Sequence, residues 1–184
     1  MSNGDAMPDP VDHSAFQIGV YVTGMDGTLP SMPFSYPQWE AEASKVMDAR
    51  ALGYVGGGAG LERTMAQNTR AFDRWQFVPR VMRDVSVRDT RVELFGTQLP
   101  SPMLVAPIGV QSIIHPDGEL ATARAAASLD VPMIASTAAS HTLEQVAEAS
   151  GEGPRWFQLY WPNDRALAAS LVQRAEAAGY TAIV

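Results

Sequence analysis

Four short apolar runs recur along the second half of the chain, each of the first three followed by a helix-forming stretch. This alternation limits the fold more than any other feature. The runs are Met103-Leu104-Val105-Ala106, Val131-Pro132-Met133-Ile134-Ala135, Trp156-Phe157-Gln158-Leu159-Tyr160 and Thr181-Ala182-Ile183-Val184. Helical stretches lie between them, from Gly118 to Leu129, Leu143 to Ala149 and Arg165 to Ala178. Taking strand starts at 103, 133, 156 and 181, the spacings are 30, 23 and 25 residues. Alternation at this spacing means βαβ units and a parallel sheet.

Two α/β architectures compete for such a pattern. A doubly wound sheet of the Rossmann kind wants G-x-G-x-x-G after its first strand. Here the first strand runs into Pro107-Ile108-Gly109-Val110-Gln111, which does not fit. A TIM (β/α)8 barrel fits the spacing but needs eight units and about 250 residues. The 184 residues supply an N-terminal helical segment and about the first three to four βα units. Val184 then stands at the edge of an open half-barrel, whose unpaired backbone invites association. The C-terminal half of the same barrel is the partner this edge calls for.

Upstream of the barrel pattern, residues 1–34 are rich in Gly, Pro, Asp and Met without a sustained period, and read as an extended arm. Residues 35–184 read as the barrel part. A helix is expected from Ser35, with Gln38 three residues on as in a capping box and Pro37 in the first turn. It carries Trp39, Ala43, Val46 and Met47 on one side and ends before the glycines at 56–58. A second helix is expected from about Leu61 to Trp75. Arg91 to Phe95 alternates polar and apolar and, with a Gly96-Thr97 turn, reads as a hairpin strand.

Composition removes several functions. The net charge of −7 argues against a nucleic-acid surface, which needs clustered cations. There is no cysteine, hence no disulfide framework and no thiolate nucleophile or ligand. This fits a cytoplasmic protein, as does a start, MSNGDAMPDP, without the basic and apolar regions of a secretory signal. No apolar run approaches the ~20 residues that span a bilayer, and no residue pattern points to a metal. Glu144, Glu148 and Glu152 read as a solvated helix face.

The active site of a TIM barrel lies at the C-terminal ends of its strands. The first strand ends at Ala106-Pro107-Ile108-Gly109, the second at Ser136-Thr137-Ala138, and the third carries Gln158 and Tyr160. A Gln within an apolar strand is costly unless hydrogen-bonded, and it can both donate and accept. Ser136 adds a small donor and acceptor. Gly109 lets a ligand approach the backbone closely. Together they describe a slot for a flat ring with a polar edge.

These residues resemble those of the FMN-dependent α-hydroxy-acid oxidase family, which includes glycolate oxidase, lactate oxidase and mandelate dehydrogenase. The resemblance rests on Pro102 to Pro107, His115-Pro116-Asp117-Gly118-Glu119, Ser136-Thr137 and Trp156 to Tyr160. Upstream, Tyr54-Val55-Gly56-Gly57-Gly58-Ala59-Gly60, Thr64, Asn68 and Phe72 match as well. The arm and the stretch from Leu29-Pro30 to Trp39-Glu40 are most similar to the lactate 2-monooxygenase branch. The resemblance implies FMN as cofactor and a small, lactate-like 2-hydroxy acid as substrate, oxidised to a 2-oxo acid. Molecular oxygen is the implied acceptor, and a monooxygenase would release a decarboxylated acid instead. A homotetramer is implied for the complete protein.

By the same resemblance, Tyr54 binds the substrate carboxylate, and Tyr160 is the catalytic-site tyrosine near the substrate hydroxyl. Ala106, Pro107, Ile108 and Gly109 lie along the flavin, and Ser136 and Gln158 bond its edge. Two positions depart from the oxidase pattern. Ala138 stands where glycolate oxidase has Trp, and Gly109 where simple oxidases have Ala; the glycine resembles the monooxygenase branch.

Without the resemblance, Tyr54 reads first as a helix-terminal packing tyrosine; Gln158 and Tyr160 have a satisfied core pair as their alternative reading, and Ser136 a capping or loop serine. His115 and His141 read as turn and cap-adjacent residues. The family's histidine base, arginine carboxylate clamp, flavin-stabilising lysine and strand-4 Thr-x-Asp find no match here; Lys45, the only lysine, falls on the first helix. A catalytically inert half-barrel that needs a C-terminal partner chain is therefore the alternative to an enzyme.

Overall fold

The computed structural model describes residues 13–184. The chain divides into two units, up to Leu52 and from Gly53. In the first unit the expected extended arm is corrected. Residues 1–12 lie outside the described residues, and helix α1 occupies His13–Met25. Gly19 and Gly24 look like breakers, yet each costs a helix only about 1 kcal/mol. Ile18, Tyr21, Val22 and Met25 recur at helical spacing. The Thr23 hydroxyl folds back onto the Gly19 carbonyl at 2.9 Å.

Helix α2 spans Tyr36–Val46 and starts where expected, with the Gln38 side chain accepting from the Ser35 N–H at 3.2 Å. It does not continue to the glycines. Met47 turns extended (ψ 141°), and a new helix, α3, runs Ala49–Gly56. Asp48 makes the break: its Oδ1 accepts from the amides of Arg50 (2.8 Å) and Ala51 (2.9 Å). Aspartate competes for exactly these orphan N–H groups and so favours a cap over a helix interior.

In the second unit, α4 is Arg63–Arg70, tightened into a 3-10 turn over Ala71–Arg74. It starts two residues later than expected because Glu62 is left-handed (φ 56°). Strands β1 (Val92–Leu94) and β2 (Thr97–Leu99) form the expected hairpin, Val92 facing Leu99. The turn centre is Phe95-Gly96 rather than Gly96-Thr97, with both residues at positive φ (49° and 77°), as a two-residue hairpin of the right twist requires.

The parallel sheet has β3 (Met133–Ser136) beside β4 (Arg155–Gln158), with Ser136 opposite Gln158. The first apolar run joins β3 by a single bridge at Val105, and the fourth joins β4 by a single bridge at Ile183. All are parallel and lie in chain order, as successive staves of a barrel do. The first stave stays short because Pro102 and Pro107 flank it and offer no N–H to a ladder.

Helices α5 (Gly118–Ala127), α6 (Leu143–Ser150) and α7 (Arg165–Ala177) follow the staves. Their Ala123, Ala126, Val146 and Ala175 bury Met133, Ala135 and Phe157 in one core. Tyr180 closes that core and donates its hydroxyl to the Leu143 carbonyl at 2.7 Å. Thr142 and Gln145 make a reciprocal capping box for α6. Glu144, Glu148 and Glu152 are exposed as expected, and Glu144 also forms a two-bonded pair with Arg174 of α7 (2.7 and 2.8 Å). No helix among the described residues is long and apolar enough to cross a membrane.

Candidate functional site

Strand alternation decides which side chains reach the inner face. Met133, Ala135 and Phe157 go under the helices, so Ile134, Ser136, Trp156 and Gln158 face the other way. Val105 and Leu159 also pack on the helix-side core, which puts Ala106 and Tyr160 on the inner face with Ser136 and Gln158. Trp156 lies at the opposite end of β4, where Phe95 meets its indole edge-on with ring centroids 5.2 Å apart.

At the C-terminal end, Ser136 and Gln158 are joined. Ser136 is buried, and its Oγ is 2.9 Å from Gln158 Oε1. The Ala138 N–H donates to the same Oγ at 3.1 Å. With its oxygen taking that proton, the serine hydroxyl donates to the Gln158 carbonyl oxygen. The Gln158 amide is thereby oriented with its NH2 group left to meet a ligand acceptor, such as a carbonyl on the edge of a ring.

The segment after Val105 approaches the segment after β3. Val110 donates its N–H to the Ala138 carbonyl at 3.0 Å and is held left-handed (φ 47°), a strained state for a β-branched residue. A Cβ on Gly109 would stand 2.9 Å from the Ala138 oxygen and 3.1 Å from the Ala138 Cβ. The two positions that depart from the oxidase pattern therefore touch each other. Among the described residues, the amides of Ala106, Ile108 and Gly109 donate to no protein acceptor. These donors and an oriented carboxamide fit the polar edge of a flavin ring, while Gly109 packs against the turn after β3.

Tyr160 stands just beyond β4, 57% exposed, rather than inside the strand as expected. Its N–H donates to the Thr137 hydroxyl at 3.1 Å. Tyr54 lies near the end of α3 and is 68% exposed. Among the described residues, no hydrogen bond joins Tyr54 to the strand-end group. Ala106, Ile108, Gly109, Ser136, Gln158 and Tyr160 share one end of the sheet; Tyr54 is not bonded into it.

Glu119, which enters the sequence pattern only as the last residue of the His115–Glu119 motif, is 0% exposed, an unusual place for a carboxylate. Its Oε1 accepts from the amides of Gln111 (2.9 Å) and Ser140 (3.0 Å), and its Oε2 lies 2.9 Å from His141 Nδ1. It thus staples the loops after the first two staves. Burial pushes its pKa up, but the Ser140 amide, the His141 ring and the Gln111 amide outweigh it and hold the carboxyl below its ordinary value. The available signal was an acidic residue in the first turn of an otherwise Ala-rich helix. His141, read as a cap-adjacent loop residue, is the partner of this carboxylate. His115 is a turn residue, its Nδ1 accepting from the Asp117 N–H at 3.2 Å.

A partial parallel barrel with a ring-edge slot at its strand ends is the arrangement of one class of protein, the flavin-binding TIM barrels. Residues 43–184 match the FMN-dependent dehydrogenase family, and the chain belongs to it. An L-lactate oxidase of Alicycliphilus denitrificans is 49% identical over 156 residues, 85% of this chain and 42% of that protein. An FMN-dependent alpha-hydroxy acid dehydrogenase of Penicillium citrinum is 41% identical over 176 residues, 95% of this chain and 44% of that protein. A crystal structure of mandelate oxidase superposes with a TM-score of 0.78 at 38% identity, covering 83% of this chain and 44% of that one. The chain spans less than half the length of these relatives, and its fold is the N-terminal part of their barrel.

Proposed function

We propose that this chain is the part of an FMN-dependent oxidoreductase that carries one wall of the flavin slot, in a polypeptide that oxidises a small 2-hydroxy acid to the 2-oxo acid. The observation that carries the reading is the Ser136–Gln158 pair (2.9 Å) beside the Ala106–Gly109 segment, on the inner face at the sheet's C-terminal end. FMN, when bound, supplies the acceptor for the two electrons and hydrogen that leave the substrate.

The roles proposed for this chain's residues rest on the family resemblance and, for those at the strand ends, are supported by their shared position there. Gln158 donates its amide to a ring carbonyl, and Ser136 fixes that amide's orientation. Ala106, Pro107, Ile108 and Gly109 lie along the ring, and the absence of a Cβ at 109 lets this segment pack on Ala138. Tyr160 hydrogen-bonds the substrate hydroxyl, and Tyr54 binds the substrate carboxylate. The finer reading takes lactate or a similar acid as substrate and oxygen as acceptor, in a cytoplasmic homo-oligomer. Gly109 favours a monooxygenase outcome, with release of a decarboxylated acid.

One observation favours a second reading, in which the chain alone is inert and needs a C-terminal partner chain. Among the described residues of the second unit, no free histidine lies at the strand ends and there is no lysine: His141 is paired with Glu119 and His115 sits in a turn. A base and a carboxylate clamp must then come from the rest of the barrel.

The test is anaerobic addition of lactate, glycolate or mandelate to the FMN-loaded protein, first as this chain and then with the barrel completed. Bleaching of the flavin absorbance only in the completed barrel is the expected result. A completed, yellow protein that stays oxidised with all three acids would sink the proposal.

A further inference from the structure

The regular pairing of β3 with β4 ends at Ser136 and Gln158, and the next bond of the ladder is the Thr137 N–H to the Gln158 carbonyl at 3.1 Å. Beyond it the main chain of residues 137–138 leaves the sheet. The Thr137 hydroxyl takes over, donating to the Gln158 carbonyl and accepting from the Tyr160 N–H at 3.1 Å. A side chain thus occupies the place of a ladder acceptor. The main chain, released from β4, turns toward the first stave, where the Ala138 carbonyl receives the Val110 N–H at 3.0 Å. One hydroxyl therefore lets a single loop bond staves on both sides.

We propose that Thr137 is a positioning residue. Its hydroxyl sets where Gln158 and Tyr160 stand at the mouth of the slot, and Thr137 itself touches neither cofactor nor substrate. The proposal rests on the reading of Gln158 as a flavin-binding group. A hydroxyl can both donate and accept, as this position requires, and serine keeps both capacities. Valine keeps the branched shape and loses both bonds, leaving the Tyr160 N–H without its acceptor. Thr137 is half-buried and on the sheet's end, not in the helix-side core, so the exchange acts locally.

The experiment compares the chain with Thr137→Val and Thr137→Ser, using two readouts. The first is amide hydrogen exchange. The Tyr160 amide is expected to be protected in the parent chain and the serine variant and to lose protection in the valine variant. The amides of Ile134 and Phe157, bonded within the sheet, serve as controls and stay protected in all three. The second readout is FMN titration followed by flavin fluorescence quenching. Valine is expected to weaken binding about tenfold, the factor set by one lost net hydrogen bond, with serine close to the parent. Thr137→Ala replaces the valine variant if the latter does not fold.

Equal Tyr160 protection in the hydroxyl-free variant would overturn the proposal. So would a valine variant that binds FMN as the parent does. A serine variant no better than valine in both readouts would also overturn it, since the hydroxyl would not be the cause. If the parent chain takes up no FMN, the titration is made in the completed barrel; failure there sinks the reading of this chain as a flavin wall, and the exchange readout alone then decides the role of Thr137.

Discussion

A fully buried carboxylate is stable only where hydrogen bonds replace its lost water, and Glu119 has three partners to do so. Glu119→Ala leaves the amides of Gln111 and Ser140 without an acceptor, at about 1–3 kcal/mol each. Glu119→Gln keeps one side-chain carbonyl oxygen for both amides and retains most of the stability. Urea unfolding of the two variants checks this; equal midpoints for alanine and the parent would refute it. The pH dependence has a definite sign. The folded pKa of Glu119 lies below its ordinary value near 4.5. Its contribution is fully present above that value and is lost as pH falls through the folded pKa. Acid unfolding of the parent should therefore be steeper than that of Glu119→Gln, which carries no titrating group there.

Gly109 poses the opposite problem, too much matter rather than too little. A methyl group there would press the Ala138 carbonyl (2.9 Å) and Cβ (3.1 Å). Backbone cannot step aside as a long side chain can, so Gly109→Ala is expected to cost about 1–3 kcal/mol as an overpacked site. Adding Ala138→Gly removes the Cβ contact and leaves the carbonyl contact, so the double variant should recover only part of the loss. Full recovery, or no loss in the single variant, would show that the loop moves freely.

At the scale of elements, Tyr180 joins the end of one βα unit to the start of an earlier helix. Burial pushes its pKa up to about 12, from an ordinary value of 10.0. The hydroxyl stays protonated in the fold where it would ionise in the unfolded chain. Stability is therefore undiminished below pH 10 and falls as pH rises from there toward 12. Tyr180→Phe loses the bond to Leu143, at about 1 kcal/mol near neutral pH. Its stability should also fall less between pH 10 and 12 than that of the parent, which pH-resolved urea unfolding measures. An unchanged alkaline slope would rule this out.

The units from Val105 to Ile183 were legible in the sequence because three signals agree there: apolar runs, helical stretches and fixed spacing. The hairpin was legible from its alternation and Gly96. Two helices depart from the sequence pattern for local reasons. In α1, two glycines masked the spacing of Ile18, Tyr21, Val22 and Met25. Between α2 and α3, Asp48 acts through its cap bonds, which an apolar pattern does not register. At the site, Ser136 and Gln158 were legible because polar residues in apolar strands ask for a partner. Glu119 and Thr137 were not, since their roles depend in part on bonds to residues more than 20 positions away in sequence, such as Glu119 to Ser140 and Thr137 to Tyr160.

Across the second unit, apolar side chains remain in water to a degree that single-chain folds avoid. Trp75, Phe77, Val78, Val81, Met82, Val85 and Val87 are exposed along one stretch without helix or strand. Ile108, Tyr160, Ile183 and Val184 are exposed around the end of the sheet. Exposed apolar groups in such number bind other surfaces, and the backbone beside Ile183 is an open strand edge. The net charge of −7 works against association between identical chains. Salt removes that opposition, since the screening length falls to about 8 Å at 0.15 M. The isolated chain should therefore bind a hydrophobic dye such as ANS, and its mass by light scattering should rise with protein concentration and with salt. Ile183→Lys places a charge on the open edge and should reduce the association. A chain that is monomeric at all concentrations in 0.15 M salt (a condition chosen for its ~8 Å screening length) and silent toward ANS would mean that these apolar groups find cover within the chain itself.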